Sequence, residues 1–362
     1  MPRQKNLKRL VRGRMAKTGE SYTAARSMVV DAAPASAAAS DPEAVALARA
    51  MSGALSVTGL ALSAELLFGV AGGIGFQYLV FAYPEITTVS VEQRFNALYF
   101  ERRNAVQTAG ARLGVPVQIR PTENRERFDR QLRQALATAA EVAVTLEDAT
   151  LPRLVAVAYA GGDGDGDTQV TVHGLPRGRV TMAWDELVDA RWTHGRKYGG
   201  LYVFGPPTSP PDVGAATLAA IGRTAECLLE PNRGTNYDGS FGVPGMRRFA
   251  RLLVDERDRG GWPRRFTDAA AVREALDAVA RGLSGSTRRR YAAFLEQAAH
   301  LVGRPGLGAL GEAYRGLDAQ WSELARVARR TDATPADLAG LLPDLAEAEQ
   351  RAATALRAEA AR

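Results

Sequence analysis

Four prolines, Pro206, Pro207, Pro210 and Pro211, separate two stretches of chain whose apolar residues recur with different periods. Proline lacks an amide hydrogen and fixes φ, so a cluster of them ends any helix or strand that reaches it. Before the prolines, apolar runs are short, alternate with polar positions and are bounded by glycine, as in strands mixed with short helices. After them almost every segment repeats at three and four residues. Helices are expected over about 212–229, 243–258, 268–283, 286–302, 306–330 and 335–360. Ser286 precedes an Arg-rich first turn, and Thr334-Pro335-Ala336-Asp337 supplies an N-cap, a proline at N1 and an acid near the helix start. The last helix carries Leu338, Leu341, Leu342 and Leu345, then mostly alanine, and Pro343 is a point where it can bend.

The first half divides further. Residues 1–30 form a basic arm in which Leu7, Leu10, Val11 and Met15 recur at helical spacing, and residues 31–43 are a linker of small residues. A helix starts at Asp41-Pro42-Glu43 and presents Leu47, Met51, Ala54 and Leu55 on one face. A glycine-rich turn, Gly69 to Gly75, leads into a strand over about 76–83. A helix over 91–113, a strand over 115–120, a helix over 125–140 and a strand over 141–147 follow. Segments 154–159 and 169–173 read as a hairpin, 180–192 as a turn into a helix, and 200–204 as a last strand. The expected domains are therefore 44–210, mixed α and β, and 211–362, helical.

Charge is localised. The first 26 residues carry eight cations and only Glu20 as an acid, so the net +6 of the chain resides in the arm and the body is near neutral. The arm, residues 1–26, reads as a solvated or dimer-swapped segment, with contact to an acidic partner, an anionic surface or nucleic acid as the alternative; the body gives no such signal. Tyr22 is its only aromatic residue, which argues against base stacking. A single cysteine, Cys227, excludes an internal disulfide and fits a reducing cytoplasm. The longest apolar stretch, 60–83, is interrupted by Glu65 and four glycines, so no membrane span is expected.

Few residues suggest chemistry. A dinucleotide site needs its glycines after a strand and before a helix; here the helix comes first, which points to close packing instead. The acidic run Asp163-Gly164-Asp165-Gly166-Asp167 lacks the glycine and glutamate of a calcium loop and reads as a hairpin tip. His173, His194 and His300 are too dispersed for zinc, so no metal or cofactor is expected. The loop 230–240 concentrates polar residues between helices. Asn232, Arg233, Asn236, Tyr237 and Asp238, with His194 on its own polar loop, are candidate ligand-binding residues, although turn chemistry also explains such a loop.

The run Leu62-Ser63-Ala64-Glu65-Leu66-Leu67-Phe68-Gly69, with Gly72-Gly73-Ile74-Gly75-Phe76, resembles the N-terminal domain of the butirosin biosynthesis protein H family. The C-terminal half resembles the helical domain of unknown function commonly joined to it. That likeness rests on Gly242-Val243-Pro244-Gly245-Met246-Arg247-Arg248-Phe249-Ala250, on Gly285-Ser286-Thr287-Arg288, and on Tyr291 and Phe294-Leu295. The resemblance implies a papain-like, cysteine-peptidase-type α+β fold followed by a mostly α-helical domain. It also implies transfer of an amino-acyl group from a carrier protein to an aminoglycoside, by a His-Cys pair that opens the first helix.

Val45 and Ala46 stand where that pair belongs, Arg153 is on the strand that begins with the family's second histidine, and His173-Gly174 meets the place of the orienting carboxylate. The expected function is thus a non-catalytic homologue that binds a small polar ligand, a peptide or an acyl carrier protein. One alternative is an acyltransferase that works without cysteine, with Ser52 or Ser56 and His173 as candidate groups. Another is a regulatory or scaffold module recruited through the basic arm.

Overall fold

The computed structural model describes residues 48, 51–52, 55, 60–82, 87–94, 105–121, 125–138, 142–148, 151–159, 169–175, 178–192, 200–205, 207–230, 239–285 and 287–362. It is a mixed α and β structure. The chain forms two units: one takes the residues up to Leu67 with Ala109–Pro211, the other Phe68–Thr108 with Asp212–Arg362.

In the first unit the described residues 48, 51, 52 and 55 are helical. They bury Ala48, Met51 and Leu55 at three- and four-residue spacing. Helix α1 (Ala64–Val70) follows; its start is capped by Ser63, whose Oγ accepts from the Leu66 amide at 3.0 Å. Helix α2 (Ala105–Arg112) stops where Gly114 takes a φ of 66°, and the Val115 amide returns to the Gly110 carbonyl at 2.8 Å. Strand β3 (Val117–Pro121) and helix α3 (Arg125–Thr138) come next, the helix burying Phe128, Leu132 and Ala135 on one face.

Strands β4 (Val142–Asp148), β5 (Leu151–Tyr159), β6 (Gln169–Leu175) and β7 (Gly178–Ala183) form a meander, followed by helix α4 (Trp184–Trp192) and strand β8 (Gly200–Phe204). The sheet order is β3-β8-β4-β5-β6-β7, with every neighbouring pair antiparallel. Helix α4 is fixed through Trp184, whose indole N–H donates to Asp129 of α3 while the Arg133 guanidinium lies 4.2 Å from its ring centre.

The second unit begins at Phe68, within α1, and its first strand is β1 (Ile74–Ala82), paired antiparallel with β2 (Thr87–Arg94) on one side and with the short β9 (Gly239–Phe241) on the other. Around this sheet lie α5 (Val213–Leu229), α6 (Gly242–Val254), the single turn α7 (Trp262–Arg265), α8 (Ala269–Gly282), α9 (Thr287–Val302), α10 (Pro305–Arg329) and α11 (Pro335–Ala361). Ile74 through Leu79 are all buried, because helices cover both faces of β1. Phe76 lies against Trp321 and Phe249, and Tyr78 against Phe249 with its hydroxyl accepting from the Trp262 indole at 3.1 Å. On the β2 side, Gly282 of α8 approaches so closely that a β-carbon there would fall 1.7 Å from the Val91 carbonyl oxygen.

The structure departs from the sequence reading at several elements. Residues 91–94 belong to β2, since Val89 and Val91 alternate inward on a hairpin with β1. Residues 178–183 are the edge strand β7, and the helix starts only at Trp184. Residues 239–241 are a strand, β9, and α6 ends at Val254 instead of continuing to 258. The hairpin β1–β2 lies in the unit that holds the C-terminal helices. Helix α11 continues through Pro343. Among the described residues no helix is long and apolar enough to cross a membrane.

Candidate functional site

The positions where the resemblance puts catalysis are unevenly described. Val45, Ala46 and Ser56 lie outside the described residues, as do His194 and the loop residues Asn232, Arg233, Asn236, Tyr237 and Asp238. Ser52 is half-buried and helical, and its hydroxyl donates to the Leu62 carbonyl at 2.5 Å. Arg153 is in β5, and His173 is in β6 opposite Val157. Four residues of strand separate position 153 from position 157, roughly 13 Å along β5. The register therefore sets position 173 about that far along the sheet from position 153. Cys227 is 6% exposed, inside α5. His300 is exposed near the end of α9. Among the described residues, no three of His, Cys, Asp and Glu are grouped so as to hold a metal ion.

What the structure does bring together is the set of residues that carries the resemblance. The turn after α1 places Gly69 so close to α9 that a β-carbon would sit 2.2 Å from the Phe294 ring. At Gly73, where φ is 47°, a β-carbon would meet Tyr291 at 2.7 Å. The carbonyl of Gly75 accepts from Arg288 at 2.8 Å. At the start of α6, Gly242 has a φ of 60° and backs onto the Leu228 carbonyl, while Gly245 packs on the backbone of Ser240. These glycines are selected by contact with aromatic rings and backbone, not by a phosphate.

Arg288 is the hub. It is fully buried in the first turn of α9, and its Nε donates to Glu349 of α11 at 2.7 Å. One terminal nitrogen reaches the Gln93 carbonyl of β2, and the other reaches Gly75 of β1. The same Glu349 oxygen accepts from the Trp321 indole at 2.6 Å, and Trp321 also places its ring 4.9 Å from the Arg288 guanidinium. Gln93 in turn donates to the Leu283 carbonyl and accepts from Thr287. A buried charge is tolerable only when paired and fully hydrogen-bonded, and this network meets that condition for the guanidinium. Burial pushes the Tyr314 phenol well above its usual range, with the nearby Glu349 carboxylate adding to the effect.

Two features of the sequence foreshadow the network. Arg288-Arg289-Arg290 puts cations at a helix N-terminus, where the backbone dipole disfavours them, unless acids from elsewhere compensate. Glu349 and Asp318 are those acids: Asp318 of α10 accepts from the Arg289 amide at 3.1 Å and so caps α9 across a helix interface. Glu349 also falls in the apolar stripe Leu338, Leu342, Leu345, Ala352, Leu356, where a solvated acid has no place.

A second feature is an open groove beside α11, about 570 Å³, lined by Arg247, Glu347, Gln350, Arg351, Thr354 and two alanines. Residues 185–356 match the family model described as a domain of unknown function, DUF4872, a span that includes Gly242, Arg288 and Glu349. No curated protein matches the chain.

Proposed function

We propose that the protein is a non-catalytic homologue of the butirosin biosynthesis protein H-type acyltransferases, with a papain-like N-terminal domain. It acts in the cytoplasm and binds a small polar ligand, a peptide or a carrier-protein partner of natural-product metabolism. The observation that carries this reading is the state of the one thiol. Acyl transfer through cysteine needs an accessible, activated thiolate. The only cysteine of the chain is buried inside α5 and the family's nucleophile position holds no thiol. The clustering of the resemblance residues around the glycine turn and Arg288 supports the same view, because these residues maintain architecture and can persist without chemistry.

Ser52 is disfavoured as a nucleophile because its hydroxyl proton is engaged by the Leu62 carbonyl. The test is incubation of the full chain with acyl carrier protein thioesters and an aminoglycoside, followed by intact-mass analysis. Unchanged acceptor, together with retention of the carrier or acceptor in equilibrium dialysis, is expected. Acylated acceptor would replace this reading with a cysteine-independent acyltransferase.

A further inference from the structure

Several arginines in the helical unit are matched with acids. Arg223 pairs with Glu226, Arg251 with Asp255, Arg273 with Asp277, Arg326 with Glu323, Arg330 with Asp332 and Arg357 with Glu230. Arg247 is not among them. Its guanidinium donates to the neutral side-chain oxygen of Gln350 at 2.5 Å, and among the described residues no carboxylate lies within ion-pair distance. Arg351, one turn along α11, has Glu347 only at 3.9 Å, with both side chains largely in water, where such a contact contributes little. Both guanidiniums line the same groove, which also takes in the half-buried Ala355 and the exposed Ala358.

We propose that this groove is a binding site for a small aliphatic monocarboxylate. A planar guanidinium suits the two oxygens of a carboxylate, and the Gln350 amide nitrogen, with its oxygen committed to Arg247, offers a further donor. The two arginines and Glu347 leave one net positive charge in the lining, which matches a monoanion and disfavours a phosphate dianion. The alanines leave room for a short alkyl chain beside the head group. The site shares no residue with positions 45, 46, 153 and 173, and it stands whether or not the reading proposed for them does.

The test is titration of the full chain with hexanoate, hexyl phosphate and hexanol at low ionic strength, followed by ligand-observed NMR and calorimetry. Hexanoate is expected to bind best, and Arg247→Gln with Arg351→Gln is expected to weaken it by about tenfold or more, the scale of lost charge-assisted hydrogen bonds. Arg357→Gln, on the same helix but outside the lining, serves as the control and should bind as the unaltered chain does. Should the double variant fold poorly, Arg351→Gln alone removes a 72% exposed side chain and must still weaken binding. Equal binding of hexanol, tighter binding of hexyl phosphate, undiminished binding by the arginine variants, or no hexanoate binding at millimolar concentration would each overturn the proposal.

Discussion

The Arg288 guanidinium and the Glu349 carboxylate meet at 2.7 Å with neither side chain exposed to solvent. Between them they join α9, α11 and both strands of the β1–β2 hairpin, since Arg288 also reaches the carbonyls of Gly75 and Gln93. Breaking one side of such a pair leaves a buried charge without compensation, at a cost of about 3–5 kcal/mol. Glu349→Ala is expected to lower the free energy of unfolding in urea by that order. Arg288→Met with Glu349→Leu, which removes both charges, should be far less destabilised than the two single changes added together. Simple additivity in that cycle would refute the coupling.

The packing of Gly69 on Phe294 makes a second prediction. A methyl group at position 69 would collide with the ring, so Gly69→Ala is expected to destabilise the chain by about 1–3 kcal/mol, as overpacking does. Phe294→Leu should recover part of that loss in the double variant, because a smaller side chain vacates the space the methyl needs. A Gly69→Ala variant as stable as the parent in thermal melts would show that the close approach is not maintained in solution.

These two contacts mark the limit of what the linear sequence discloses. The helices after Pro211 were legible because their apolar periods are long and a start is marked at Thr334, whose side chain caps α11. Strand β2 was not, because its inward Val89 and Val91 are followed by residues that read equally well as helix. Neither was β9, whose three residues are strand only because β1 lies beside them. Arg288 could be singled out as a cation at a helix start, but its partners are at positions 75, 93 and 349, set by tertiary packing. The Arg247–Arg351 groove is illegible for the same reason: its two guanidiniums meet only after α6 and α11 have packed together.

The capping box of α11 predicts a pH dependence. The Asp337 carboxylate accepts from the Thr334 amide and from its hydroxyl, both at 2.7 Å, and these bonds hold its pKa below the ordinary aspartate value. A pKa depressed by folding means that the stabilisation is complete above the unfolded aspartate value, about 3.9, and is lost as pH falls through the folded one. The stability gap between the parent chain and Asp337→Asn should therefore be constant near neutrality and close below about pH 4. Urea titrations at several pH values measure it; a gap that persisted unchanged into strong acid would contradict the assignment.

The thiol of Cys227 provides the last prediction, and the one that bears on mechanism. It is packed in the interior of α5, where a neutral thiol behaves as a small apolar group and reagents reach it only when the helix opens. In native buffer, labelling by a chromogenic disulfide reagent is expected to be slow and to accelerate in proportion to the fraction unfolded as urea is added, ending at one equivalent per chain. Reagent-limited labelling without denaturant would mean a thiol at the surface. Cysteine chemistry would then re-enter as an explanation of function, since thiolate access is the property whose loss supports a binding role.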